Sequence, residues 1–280
     1  GSREERKTAA RFVCVLLVTI VWIPSASLNA LDAIDHSAWD RLLKQYVRGD
    51  AVDYRGLVEA RDQVDDYLLR IESVSVEEFS ELSREARIAF WINLFNASVV
   101  RMVLDAYPVG GLDEIPGAFE VRGIRVFDEF FSLLELRDRV LRQGFHDERI
   151  LTALVAGRRD SPKLLREAFR GDLLEDQLNR AAQDFVEDER LNRIRLGAKK
   201  IFISPLFRDF GGDFLLNFGS QGATSGFSPQ ECAVISFFLH HLRDPGKRLF
   251  LDSGRFKIAY LPEVRALNDL GPTHAGRQRS

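Results

Sequence analysis

The 280 residues are 45% apolar and 29% charged, with a formal net charge of -3. This is the balance of a globular protein; it excludes a disordered polyampholyte and gives no electrostatic reason to expect a nucleic-acid partner. The length allows one large domain or two small ones, and two cysteines are too few for a disulfide framework.

The first thirty residues differ in kind from the rest. "REERKTAAR" is a charged opening, "FVCVLLVTIVWI" at 12–23 is an apolar run of twelve, and "PSASLNA" at 24–30 offers small residues for cleavage. Twelve residues fall short of the roughly 20 that a membrane span requires. A cleaved secretory signal over 1–30 is therefore expected, with an uncleaved anchor over 12–30 as the alternative. Cleavage would remove Cys14 and leave Cys232 as the single thiol, so the core must hold an exported fold without disulfides.

Beyond it, helical patterns dominate. A helix is expected over 37–47 with Ser37 as its cap, then a short extended piece and an amphipathic helix over 50–73. A long helix follows, capped by Ser83, with Glu85 in its first turn and Pro108 after its end. Its centre is apolar almost all round, yet it contains Asn93 and Asn96, three apart and on one face. A buried amide without partners costs roughly 1 to 3 kcal/mol, so something polar must meet that face. The alternation over 117–127 predicts a hairpin turning at Arg122-Gly123, followed by helices over 131–142 and 148–157. Pro162 predicts a further helix start, 173–188 is periodic at helical spacing, and 193–204 is strand-like, broken at Gly197. Helices over 204–218 and 228–242, the second with Ser228 as cap and Pro229 at its first position, precede a last strand over 255–263. With no linker between 35 and 270, the expectation is a helix-rich α+β fold with a small antiparallel sheet, one domain over 31–280.

Several signatures resemble the family catalogued as domain of unknown function 547. These are "AVDYRGL" at 51–57, "AFWINLFNA" at 89–97 for the family's "AFWxNxYNA", Tyr107-Pro108 as its stop, and "SPLFRDFGGDF" at 204–214. The family's segment "DPRIHFALNCxSxSCPxL" aligns without a gap on "DERILTALVAGRRDSPKL" at 147–164. Its reactive residues do not carry over. The His position holds Leu151, the Asn position Val155, the first Cys position Ala156 and the Cys before Pro Ser161. The Asp of the family's "YDWxLN" ending falls on Val264 of "EVRALN", and "SLDxIE" appears as "SLLELR" at 132–137, without its acids. A Cys-His-acid site needs the His to deprotonate the thiol and the acid to orient the His. Here all three positions are lost together, so the resemblance implies a member whose scaffold is kept and whose site is not.

The candidate residues are weighed on that basis. Ser161 is the surviving nucleophile position and His146 the nearest base in sequence; the competing reading makes Ser161 and Asp160 caps of the helix expected at Pro162. Arg158, within "GRR" at 157–159, stands for an anion site near that helix start, or for a plain solvated loop. Trp91, Asn93 and Asn96 are the ligand-facing or bracing residues of the long helix, the asparagines being expected to bond the backbone of the 155–162 region. Asp209 and Asp213 read as a solvated face. His240 and His241, adjacent and so diverging by about 100 degrees, suit interaction with helix-end carbonyls better than chelation. Cys232 reads as core. No metal or cofactor is expected, since "HxxxH", "HExxH", CxxC and phosphate-loop spacings are absent.

Function is thus expected to be binding of a peptide or small molecule by an exported, non-catalytic protein, with membrane contact only through the N-terminal segment if it is retained. The opposing class is a hydrolase with Ser161 activated by His146 or a distant His. The two differ in whether any His nitrogen lies within about 2.6 to 3.2 Å of the Ser161 hydroxyl. A third class, an envelope component with a purely structural role, is supported only by the signal segment.

Overall fold

A computed structural model describes residues 34–219 and 226–271. The expected signal segment with Cys14, and His274, lie outside the described residues. The chain starts with α1 (Ser37–Tyr46), β1 (Val47–Arg48), β2 (Ala51–Val52), α2 (Tyr54–Glu59), α3 (Arg61–Glu72) and α4 (Val76–Ser80). Ser37 is the first helical residue of α1 rather than its cap, because Asp35 Oδ1 accepts its backbone N–H at 2.8 Å. Asp53 caps α2, and Ser75 with Glu78 closes a capping box on α4.

Helix α5 (Arg84–Ala106) is the axis of the fold, and Ser83 caps it by accepting from the Ala86 N–H. It is long and apolar enough to cross a membrane, but 83% of its most apolar stretch is buried inside the protein. Helices α3 and α8 (Leu174–Glu187) supply amphipathic faces that pack on it, and α1 packs in turn on α3, with Trp39 stacked on Tyr67. Each large side chain fully buried there, such as Phe90, Ile92 or Phe95, contributes roughly 1.5 to 3 kcal/mol.

The hairpin after α5 is shifted from its expected place. Strands β3 (Ile124–Val126) and β4 (Glu129–Phe131) pair antiparallel around Phe127-Asp128, which both have positive φ (54° and 60°). Two left-handed central residues match the right-handed twist of a hairpin, but Phe-Asp carries none of the usual Asn-Gly signal. Ser132 then opens α6 (Leu133–Glu135), which runs into a π-helical turn at Leu136–Arg142 and ends in α7 (Gln143–Phe145). The π stretch presents Arg142 to Asp213, bonded at 2.6 and 2.8 Å, with the guanidinium 4.3 Å from the Phe210 ring.

Two expected helices are not formed. Over 148–157 there is only a 3-10 turn at Glu148–Thr152, and the 153–170 stretch is irregular despite Pro162 and the helix-forming residues after it. Helix α8 follows where periodicity placed it.

The second half builds on β5 (Arg193–Arg195) and β6 (Lys200–Ile203), antiparallel partners that turn near Gly197. Helices α9 (Pro205–Asp209), α10 (Leu215–Phe218), α11 (Pro229–His241) and α12 (Pro245–Asp252) lead to β7 (Lys257–Tyr260), which adds to β6 in parallel. Helix α12 has no counterpart in the sequence expectation. Ser228 caps α11 with a full capping box to Glu231. The architecture is a helix-rich α+β fold with small sheets. Its apolar interior falls into two clusters that meet on α8: Leu174, Leu178 and Ala181 belong to the first, Ala182, Phe185 and Val186 to the second.

Candidate ligand-binding site

The polar face of α5 is met by the irregular segment. Asn96 donates from Nδ2 to Ala153 O at 3.0 Å and accepts at Oδ1 from Val155 N at 3.0 Å. Asn93 does the same to one residue, Phe169, with its O at 2.8 Å and its N at 2.9 Å. Gln177 of α8 adds a third clamp, to Ala168 O and Arg170 N. The asparagines are 1% and 2% exposed, so these amides replace the water that an irregular backbone would otherwise need. Asn96 thus reaches the 155–162 region, whereas the partner of Asn93 lies beyond it. These amides take the place of helical bonding at 153–155 and 168–170, on either side of the irregular stretch after Pro162.

Trp91 points elsewhere. Its ring packs edge-on against Phe79, Phe127 and Phe131 at 5.6 to 6.1 Å, and it is 5% exposed. It is a core anchor rather than a ligand contact.

Ser161 caps no helix. Its hydroxyl donates to Arg158 O at 2.8 Å and accepts from Ala156 N at 3.3 Å, locking the 156–161 turn. Gly157 at the head of that turn has φ 64°, which a side chain would strain. No described histidine bonds Ser161. His146 is an exposed, left-handed terminal residue after α7, His36 Nδ1 is bonded to the Tyr67 hydroxyl at 2.8 Å, and His240 and His241 end α11. Asp160 bonds Arg158 Nε at 2.9 Å and Val264 N at 2.6 Å. The positions Ala156, Ser161 and Val264 therefore do converge on one loop, while Leu151 is packed in the second core.

The remaining candidates resolve simply. Asp213 is clamped by Arg142, and Asp209 pairs with its neighbour Arg208, because the helix expected to align them breaks at Phe210. The last carbonyls of α11 are met by Arg248, which bonds Leu239 O and Leu242 O, and not by the histidines. His241 is 6% exposed with Nε2 unpartnered, and burial first, then His240 and Arg149, push its pKa down to about 4, opposed by Asp147. Among the described residues no group of three or more His, Cys, Asp and Glu side chains is placed to hold a metal ion. Cys232 is buried on α11.

Beside the 157–160 turn opens a cleft of about 500 Å³. Its floor is the run 266–270, which laces distant parts together: Leu267 N bonds Gly110 O, Asn268 N bonds Gly157 O, Arg159 N bonds Ala266 O, and Leu270 N bonds Val52 O. Gly111 permits this close approach, since a Cβ there would sit 2.5 Å from Arg265 O. Arg159, Arg193, Asp160 and Asn268 line the cleft, with Leu261 and Pro262 on its wall.

Residues 79–186 match the family model described as "Protein of unknown function, DUF547". No curated protein and no solved structure matches the chain. The DUF547 segment covers α5, the clamped stretch and α8 almost to its end, so Asn93, Asn96, Ser161 and Gln177 all fall inside it. Asn268 and Arg193 fall outside it, although the fold brings both to the cleft beside its loop. Sequence reasoning singled out neither of them, nor Gln177. Asn268 was visible only as the last residue of "EVRALN", with no periodic or motif spacing to connect it to residue 157.

Proposed function

We propose that the chain is an exported binding or accessory protein that takes a peptide or small molecule in the cleft beside the 157–160 turn, and that it is not a hydrolase. The observation that carries this is the state of Ser161. A serine nucleophile needs an adjacent base, because its hydroxyl is not ionised near neutrality. Here the hydroxyl proton is directed at Arg158 O and its oxygen is taken by Ala156 N, a turn-locking arrangement with no imidazole bonded to it among the described residues. The aligned acid position, Val264, contributes its backbone N–H to Asp160 instead of a carboxylate. What persists around the turn is scaffold: the amide clamps of Asn93, Asn96 and Gln177. Export rests on the charged, apolar and small-residue succession over 1–30.

The test is labelling by a broad fluorophosphonate probe, comparing the chain with Ser161→Ala. The expected result is no labelling of folded protein in either. Labelling that disappears in the variant would make Ser161 a nucleophile and overturn the proposal.

A further inference from the structure

The charges of the cleft are unevenly used. Asp50 is paired with Arg190 at 2.7 Å, Asp160 with Arg158 at 2.9 Å, and Asp269 accepts from the Tyr107 hydroxyl at 3.0 Å. Arg159 and Arg193 have no carboxylate partner among the described residues. Among the described residues each spends only Nε, on Leu267 O and Glu189 O respectively, which leaves both terminal nitrogens of both guanidiniums without a partner there.

Asn268 adds an independent observation. It is 4% exposed and lines the cleft, yet only its oxygen is used, accepting from the Tyr54 hydroxyl at 2.9 Å. Tyr54 is itself buried, and burial pushes its pKa up, so its O–H stays a donor. That fixes the amide: Oδ1 turns to Tyr54, and Nδ2, without a partner among the described residues, is the end left to the cleft. That N–H₂ opens on the cleft, where a ligand or a water can meet it. Unspent guanidinium forks and a preset amide donor ask for a planar oxyanion. The Leu261, Pro262 and Leu270 side chains beside them ask for an apolar body attached to it.

We propose that this cleft binds a carboxylate carried on a short apolar group, as in a peptide C-terminus or a small organic acid, with Arg159 and Arg193 meeting the charge and Asn268 Nδ2 donating to one oxygen. This rests on the reading of the cleft as a binding site and names its ligand class.

The probes are N-acetyl-leucine, its uncharged amide, inorganic phosphate, and an acetylated tripeptide ending in leucine, titrated calorimetrically into the full chain at millimolar concentration. The acid is expected to bind saturably and the amide about tenfold more weakly or worse, the scale of one lost charge-assisted contact. Arg159→Gln, an exposed change that spares the core, is expected to weaken the acid by a similar factor; Asn268→Leu does so if it folds. Tighter binding of the tripeptide than of the acid assigns peptide ends, and equal binding assigns small acids. Equal binding of the amide, equal binding of phosphate, or no binding of the acid to folded protein would each overturn the assignment. Ser161-dependent labelling would instead overturn the underlying reading, whichever acid binds.

Discussion

In the first core, three buried amides are used at both ends, Asn93, Asn96 and Gln177 each donating and accepting along one irregular stretch, while Ser98 on α5 keeps a buried hydroxyl with no partner among the described residues. In the second core, phenylalanines meet phenylalanines, with Phe207 touching Phe185, Phe214, Phe237 and Phe238 at 5.0 to 6.2 Å, and the buried His241 keeps a bare Nε2. The first pattern fixes the path of a chain segment that has no regular hydrogen bonding of its own. The second is built mainly on ring packing, with one such amide: Asn192 donates to Phe185 O at 2.7 Å and accepts from Ser204 N at 3.1 Å, tying the last turn of α8 to the residue after β6. The DUF547 match covers the three clamps of the first core and ends at residue 186, in the helix where the two cores meet; Asn192 lies just beyond it.

Three changes bear on that difference, in decreasing order of effect. Phe207→Ala opens a cavity among well-packed rings and should cost about 4 kcal/mol in denaturant unfolding. It is expected to leave the 153–169 path unchanged. Asn96→Leu keeps the volume but strands Ala153 O and Val155 N, and should cost about 3 kcal/mol. It should also make the 153–169 stretch the first site of limited proteolysis, which Phe207→Ala should not. If the two variants lose the same stability with the same proteolytic pattern, the clamp directs nothing.

The third concerns pH. Burial pushes His36 and His241 down to about 4 from an ordinary 6.5, so the unfolded chain binds their protons more readily. Their contribution is fully present above pH 6.5 and is lost as pH falls toward 4. Between pH 7 and 5 each should cost about 2 kcal/mol. Glu72 and Glu148, pushed up by burial, act the other way near the acid end, each gaining stability as the pH drops. The clean comparison is therefore His241→Leu against the parent: it should remove its own share of the acid loss while packing on the Phe237 ring, 4.4 Å away in the parent. An unchanged pH slope would contradict the buried, neutral state of His241.

The sequence was informative where one element decides its own shape. Helix α5 with its Ser83 cap, α11 with Ser228 and Pro229, and the strand break at Gly197 could be read from periodicity and capping chemistry. The Asn93–Asn96 face also announced that a polar partner must exist. It did not announce which one, because the partners are backbone groups at residues 153–155 and 169, and those lie in a stretch whose composition favours helix. The Phe127-Asp128 turn was hidden for a related reason: neither residue advertises a left-handed backbone. The cleft was least legible of all, since Asn268 meets Tyr54 across 214 positions of chain.

The most direct measurement is amide hydrogen exchange by NMR at Val155 and Phe169, the two N–H groups that donate to Asn96 and Asn93. Exchange as slow as in the centre of α5 is expected, with Asn96→Leu releasing Val155 more than Phe169. Exchange at both sites as fast as at exposed loop amides in the parent chain would show that the asparagines do not hold the segment, and would contradict the account at its base.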